Sequence, residues 1–214
     1  MVFKLVIKCM LVGDSDVGKT CLLTAYTENR FPTGYIPRTY GGHGMEVMVR
    51  DDNHIFQVFD NAGAPEHDRL RPLGYPHTDV FVICFSVGIP TSFANVKPRW
   101  LSDAQHYCPG KPCILAATQI DLRQPNFNAV DSEEPRQMIT TAQGEKLARE
   151  IKAVKFVECS ALTRECVQDV FDAVRAASHD SCSRPPELFI NQTQNEVCCA
   201  LEFDMGSSGE VWSQ

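Results

Sequence analysis

The sequence predicts an α/β domain in which a mostly parallel six-stranded sheet is covered by helices on both faces. Short apolar runs rich in β-branched residues alternate with segments of helical periodicity, and this alternation is typical of parallel strands connected by helices. The chain has 214 residues, of which 43% are hydrophobic and 22% are charged. That length and composition suffice for one well-filled core and leave little room for a second full domain.

Six apolar runs predict the strands. The second and third runs are joined by a polar turn at residues 50–54, so these two strands are expected to form one antiparallel hairpin at the edge of the sheet. The other connections contain helical patterns and therefore predict parallel pairing. The predicted strands are residues 5–12, 45–49, 55–59, 80–86, 112–118 and 156–158.

Helical patterns fill the longer connections. Thr140 and Gln143 have the spacing of a capping box, which favours a helix that starts at Thr141. Pro98 lies inside another helical pattern, where it removes a hydrogen bond, so a kink or a restart is expected near Lys97. The predicted helices are residues 18–28, 92–107, 141–151 and 167–177.

Charge and cysteine usage exclude several classes of protein. The net charge is −7 and no Lys or Arg follows Arg184, so a nucleic-acid surface finds no support. Four of the ten cysteines, Cys9, Cys84, Cys113 and Cys159, lie in or beside apolar strand-like runs, and no spacing matches a zinc motif, which predicts buried thiols in a reducing compartment. Lys4 and Lys8 interrupt the apolar amino terminus, which is therefore predicted to be a strand and neither a signal peptide nor a membrane span.

A phosphate-binding motif follows the first strand. Residues 13–20, GDSDVGKT, fit the pattern G-x-x-x-x-G-K-[ST], and we call them the P-loop. In such a loop the backbone N–H groups and the following helix terminus form a concave anion site. Lys19 can reach the outer phosphates and the Thr20 hydroxyl can ligate Mg²⁺, so the motif predicts binding of a nucleoside triphosphate.

Three further motifs stand at predicted strand ends. Asp60-Asn61-Ala62-Gly63 places a carboxylate where it can meet the metal. In TQID, residues 118–121, the Asp121 carboxylate can accept hydrogen bonds from the N1–H and the exocyclic amino group of guanine, which adenine does not offer. ECSAL, residues 158–162, is expected to approach the same base.

With these four motifs in this order, the chain resembles the Rho family of small GTPases, and within it the Rac-like branch. The likeness spans residues 8–177 and includes KTCLL at 19–23, DRLRPL at 68–73 and DVFVICFSV at 79–87. Residues 124–139 resemble the insert that distinguishes Rho proteins from other small GTPases. The resemblance implies a P-loop small GTPase domain over residues 1–180. From residue 181 to 214, Pro, Ser, Gly and Asn accumulate without periodicity, which predicts a flexible acidic tail.

The resemblance also implies a set of binding residues. Mg²⁺ would be held by Thr20 and Asp60. Effectors and regulators would contact Tyr35, Arg38, Thr39, Tyr40, Leu70 and Leu73. Guanine nucleotide, GTP or GDP, would be contacted by Gly13, Asp14, Ser15, Asp16, Val17, Gly18, Lys19, Thr20, Cys21, Phe31, Asp60, Ala62, Gly63, Thr118, Gln119, Asp121, Leu122, Ser160, Ala161 and Leu162.

The sequence departs from the family at the hydrolytic step. The family has a water-orienting Gln immediately after the switch glycine, and here that position is Ala64; Ser15 replaces a P-loop Gly. We therefore name no catalytic residue and expect hydrolysis of GTP to be weak or absent. Glu66 or His67 is the alternative group for positioning water.

Two charged residues make further departures. Arg38 stands where the family has a metal-ligating Thr, and Arg carries donors only, although a one-residue register slip would bring Thr39 into its place. Asp16 adds a negative charge to the P-loop. It would weaken nucleotide binding if it faced the phosphates and would have little effect if it faced solvent, the version we favour.

The tail determines the membrane prediction. Cys198-Cys199-Ala200-Leu201 would be a prenylation signal at a chain end, but residues 202–214 follow it, and the tail is acidic. We expect no stable membrane anchor, unless the tail is trimmed, and a cytoplasmic monomer. Acylation of Cys198 or Cys199 and transient visits to the plasma membrane are the alternatives.

Three functions follow from these patterns. The leading one is a Rho-type guanine-nucleotide-binding signalling protein whose partners are effectors, exchange factors and GTPase-activating proteins. The second is a conventional GTP-hydrolysing switch completed by an activating partner. The third is a scaffold that binds no nucleotide.

Overall fold

A computed structural model describes residues 6–33, 41–49, 52–124 and 137–182. The predictions made for Tyr35, Arg38, Thr39 and Tyr40 lie outside these residues. The body of the predicted insert and the tail after residue 182 lie outside them as well.

The described strands form one six-stranded sheet in the order β2-β3-β1-β4-β5-β6. Strand β2 pairs antiparallel with β3, and the remaining neighbours pair parallel, which confirms an α/β fold built on five parallel strands. The strands are β1 (Val6–Val12), β2 (Gly41–Val49), β3 (Asp52–Asp60), β4 (Val80–Ser86), β5 (Cys113–Thr118) and β6 (Lys155–Glu158).

The boundaries predicted for β2 and β3 were wrong. Strand β2 starts at Gly41 rather than at 45, and β3 starts at Asp52, so Asn53 and His54 pair with Met48 and Val47 instead of forming a turn. Ladder hydrogen bonds use backbone atoms, so glycine-rich and polar segments can extend a strand without any apolar pattern.

Helices cover both faces of the sheet. The predicted helix at 92–107 consists of three consecutive segments, α2 (Pro90–Asn95), a π-helical segment (Val96–Leu101) and α3 (Ser102–Tyr107), so the irregularity expected at Pro98 is present. The capping box of Thr140 and Gln143 is confirmed. The remaining helices are α1 (Lys19–Glu28), α4 (Thr141–Glu150) and α5 (Val167–Cys182), the last of which extends five residues past its predicted end at 177.

The core consists of two layers separated by the sheet. Alternate residues of β1 face opposite sides: Cys9 and Leu11 pack in the layer under α1 and α5, whereas Met10 and Val12 pack in the layer that contains Trp100. Every residue of β4 is buried, as expected for a central strand covered on both faces. No helix among the described residues is long and apolar enough to cross a membrane.

Burial of the cysteines agrees with the sequence analysis. Cys9, Cys84, Cys113 and Cys159 are buried free thiols. Burial raises the pKa of the Cys84 thiol to about 12 and raises that of Cys9 further. These thiols are therefore components of the packed core.

Candidate functional site

The sequence motifs converge because parallel strands end at one edge of the sheet. Strand β1 leads into the P-loop, β3 ends at Asp60, β5 ends at Thr118, and Ser160 lies two residues after β6. Ligand sites of open α/β sheets form at this carboxyl edge.

Two glycines shape the P-loop. Gly13 has a φ of +151°, and a Cβ built there would lie 2.3 Å from the carbonyl oxygen of Cys84, so a larger residue would not fit. Gly18 has a φ of +87° and precedes α1, whose first turn has no side-chain cap and no acidic residue. The amino terminus of α1 therefore retains the positive potential that favours a phosphate.

Lys19 folds back across the loop. Its Nζ donates hydrogen bonds to the carbonyl oxygens of Gly13, at 2.8 Å, and Asp14, at 2.7 Å. Burial lowers the pKa of the Lys19 ammonium, and the carboxylate of Asp60 opposes that effect. A buried ammonium group beside an uncapped helix start suits an anionic ligand such as a phosphate.

Thr20 and Asp60 lie together beside this anion site. The Thr20 hydroxyl donates a hydrogen bond to Oδ2 of Asp60. A hydroxyl and a carboxylate are the hard oxygen ligands that Mg²⁺ accepts. The described part of the chain has no cluster of three His, Cys, Asp or Glu that would hold a metal unaided, so Mg²⁺ here would complete its shell with water and phosphate oxygens. The two residues fit such a cation.

The predicted base-recognition residues also lie together. Asp121 is buried in a short 3₁₀ helix (Ile120–Arg123), and its Oδ1 accepts a hydrogen bond of 2.5 Å from the Ser160 hydroxyl. The Thr118 hydroxyl lies 2.5 Å from the carbonyl oxygen of Val17, which joins this region to the P-loop. Ser160 thus fixes the orientation of the carboxylate, which preorganises it to accept from a base.

Gln119 bridges two loops. It adopts a left-handed conformation with a φ of +59°. Its Nε2 donates to the carbonyl oxygen of Asp16 at 3.0 Å, and its Oε1 accepts from the Ser86 hydroxyl at 2.5 Å. The Asp16 side chain is exposed, in agreement with the solvent-facing version.

The segment after β3, residues 61–74, is called the switch loop below, and it packs directly on the P-loop. A Cβ on Gly63 would lie 2.4 Å from the carbonyl oxygen of Gly13 and 2.5 Å from the backbone nitrogen of Ser15. Ala64 follows in an extended conformation, and a 3₁₀ turn (Pro65–His67) comes next. The two departures from the family pattern, Ser15 and Ala64, are therefore near neighbours in space.

The remaining predicted residues border this site or face solvent. Cys21, Phe31 and Leu122 are half-buried, and Leu162 is exposed. In the switch loop, Leu70 is 56% exposed and Leu73 is 75% exposed, so both side chains are available to a partner.

Sequence reasoning missed the contribution of the helical segments at 90–107. Asp14 accepts hydrogen bonds from Nδ2 of Asn95, at 2.7 Å, and Nε1 of Trp100, at 2.8 Å. Arg99 also approaches Asp14, and the buried Arg71 of the switch loop pairs with Asp68. The sequence carried no signal for the contacts to Asp14, because they join residues more than eighty positions apart.

Comparison with known families agrees with this geometry. A family model described as the Ras family matches residues 8–179, a range that contains the P-loop, strands β2 to β6 and all but the first two residues of β1. Proteins of this family in general bind GTP, GDP and Mg²⁺, and the residues described above fit both ligands. The chain therefore belongs to the Ras family of small GTPases.

Proposed function

We propose that this protein is a Rho-type guanine-nucleotide-binding signalling protein that holds GTP or GDP with Mg²⁺ and hydrolyses GTP weakly or not at all. The observation that carries the proposal is the placement of Ala64. It directly follows the glycine that packs on the P-loop, and its side chain is a methyl group. The side chain at that position has no donor or acceptor that could orient an attacking water.

The residues described above that would bind the nucleotide and Mg²⁺ are all present. Lys19 and the start of α1 would hold the outer phosphates, Thr20 and Asp60 would hold Mg²⁺, and Asp121 would read guanine. The metal supplies neutralisation of phosphate charge. The hydrogen bond from Ser160 keeps Asp121 ready to accept from the base. Adenine would leave the remaining acceptor capacity of this buried carboxylate without a donor from the base, which would oppose its binding.

The expected rate follows from the lost group. With an intact Gln, intrinsic hydrolysis in this family is on the order of one event per forty minutes. Each tenfold loss corresponds to about 1.4 kcal/mol of transition-state stabilisation. A loss of that size lengthens turnover to many hours, so the GTP-bound form would persist and signal through its switch surfaces. Residence in the cytoplasm is part of this proposal.

Two measurements on purified protein test it. Denaturation followed by chromatography of the released nucleotide reports occupancy, and we expect guanine nucleotide rich in GTP. Single-turnover hydrolysis should be at least tenfold slower than in a Rho protein that has the Gln, and the double variant A64Q/S15G should recover activity. A normal rate in the unmodified protein would refute the hydrolytic part, and absence of nucleotide with no measurable affinity would favour a scaffold.

A conventional switch is the second candidate, and His67 favours it. Nδ1 of His67 is buried and has no hydrogen-bond partner among the described residues, three positions after Ala64. A free imidazole nitrogen can position water. The variant H67A should then slow hydrolysis measured with an activating partner, and an unchanged rate would remove this candidate. Glu66 is exposed and offers a weaker case.

A further inference from the structure

Arg99 connects the P-loop to the switch loop. Its Nη2 donates to Oδ1 of Asp68 at 2.7 Å and to the carbonyl oxygen of Gly63 at 3.4 Å. Its Nη1 lies 3.6 Å from Oδ1 of Asp14. One guanidinium group therefore holds acceptors from both loops, and a planar group with five donors is suited to that task.

The π-helical segment that contains Arg99 also turns its neighbours Asn95 and Trp100 toward the P-loop. Asn95 and Trp100 both donate to Asp14 although they are five residues apart. On a regular α-helix residues five apart point about 140° away from each other, whereas i→i+5 bonding brings them to nearly the same face. Pro98 favours the wider turn because it has no N–H to donate and its ring crowds the preceding turn.

The switch loop contributes a second, buried arginine to the contact with Arg99. Arg71 is 1% exposed; it donates to the carbonyl oxygen of Ala62 at 3.3 Å and pairs with Asp68. Cζ of Arg71 lies 4.5 Å from the Trp100 ring centroid, and Cζ of Arg99 lies 4.6 Å from it. Two cations thus share one aromatic ring and one carboxylate. Partial burial works to raise the pKa of Asp68, but hydrogen bonds from Arg99 and Arg71 hold it below its usual value.

We infer that Arg99 is a positioning residue that clamps the switch loop to the P-loop and thereby slows the release of bound nucleotide. The inference rests on the proposed nucleotide binding. The P-loop surrounds the phosphates and the switch loop packs on it at Gly63, so opening the site requires these loops to separate. Arg99 must release at least one of its acceptors when they do. Its partners are protein groups, so the clamp does not depend on a particular phosphate.

The test is the dissociation rate of a fluorescent GDP analogue, displaced by excess GDP in the presence of Mg²⁺. The variant R99A should release it about three- to tenfold faster, the range expected for losing two partly exposed ion pairs and a backbone hydrogen bond. Lys97→Ala is the matched control, because that lysine is on the same helical segment, is exposed, and pairs with Glu150 at 3.9 Å. Its rate should stay within 1.5-fold of the unmodified protein.

Salt dependence separates the clamp from simple packing. Raising the ionic strength should speed release from the unmodified protein by screening the ion pairs, and this dependence should be much weaker in R99A. Arg99→Lys keeps a single cation and should restore part of the slow release. If R99A had the same release rate and the same salt dependence as the unmodified protein, the inference would be overturned.

Amide hydrogen exchange tests the clamp even if the protein does not bind nucleotide. If the purified protein binds no guanine nucleotide, the proposed function fails, and amide hydrogen exchange of residues 63–68 then tests the clamp alone. Exchange should accelerate in R99A and remain unchanged in the Lys97→Ala control. Equal exchange in all three proteins would overturn the clamp.

Discussion

Replacing Gly63 with alanine introduces a methyl carbon into the backbone of the P-loop. The new Cβ would lie 2.4 Å from the Gly13 carbonyl oxygen, 2.4 Å from the Asp14 carbonyl carbon and 2.5 Å from the Ser15 nitrogen. All three neighbours are backbone atoms, so no side chain can rotate away. The switch loop and the P-loop must separate by roughly 1 Å to reach ordinary contact distances.

The magnitude follows from overpacking. Inserting a methylene group into a packed site typically costs about 1–3 kcal/mol. A nucleotide-free protein relieves most of that strain by letting the loops part, whereas nucleotide binding requires the P-loop in its native form. The strain therefore appears mainly as lost affinity, and 2 kcal/mol corresponds to a Kd for GDP about 30-fold higher.

The assay is titration of a fluorescent GDP analogue into G63A, with thermal unfolding measured in parallel. Gly110→Ala is the control, because its φ of +76° penalises alanine while no atom lies within 4 Å of the added Cβ. The control should lose about 1–2 kcal/mol of stability and keep its affinity for the GDP analogue. A Kd for G63A within twofold of the unmodified protein would refute the view that the two loops must stay in contact for binding.

Three further predictions concern the base site, the thiols and an ion pair. D121N should weaken guanosine diphosphate binding by about tenfold or more and favour xanthosine diphosphate in competition assays, because the amide can donate to the second carbonyl of xanthine; an unchanged preference would argue against base recognition by this residue. Iodoacetamide at pH 7.5 should modify the exposed Cys166 in native protein while Cys84, whose pKa burial raises to about 12, reacts after denaturation, as peptide mass spectrometry will show. The lowered pKa of Asp68 means that its carboxylate stabilises the fold above about pH 4 and that this contribution disappears as the pH falls through the lowered value. D68N should accordingly be less stable at pH 7 by up to about 1 kcal/mol, with the difference narrowing in acid, and a difference that persists in acid would exclude the ion pairs as its source.

Much of the fold was predictable because its signals are local. Strand β4 matches its predicted limits, since a run of apolar residues between polar boundaries marks a central strand. The capping box at Thr140 was predictable from two residues three positions apart. The P-loop was predictable because its glycines, Lys19 and Thr20 are contiguous, and their roles follow from backbone geometry alone.

Contacts across the sheet edge were not predictable in the same way. Asp14 was expected to contact nucleotide, and the sequence did not predict that its side chain accepts hydrogen bonds from Asn95 and Trp100. Pro98 predicted an irregular helix. The structure has a π-helical segment there that presents Arg99 to two loops, and this arrangement depends on the residues that lie opposite the helix.

The sequence by itself determined the α/β fold, the anion site and the missing polar group at position 64, because each depends on neighbours along the chain or on the identity of one residue. Tertiary structure alone decided that Gly63 presses on Ser15, that Ser160 orients Asp121, and that Arg99 joins the two loops. Such contacts arise from the order in which parallel strands are placed side by side, which brings distant segments to one edge of the sheet.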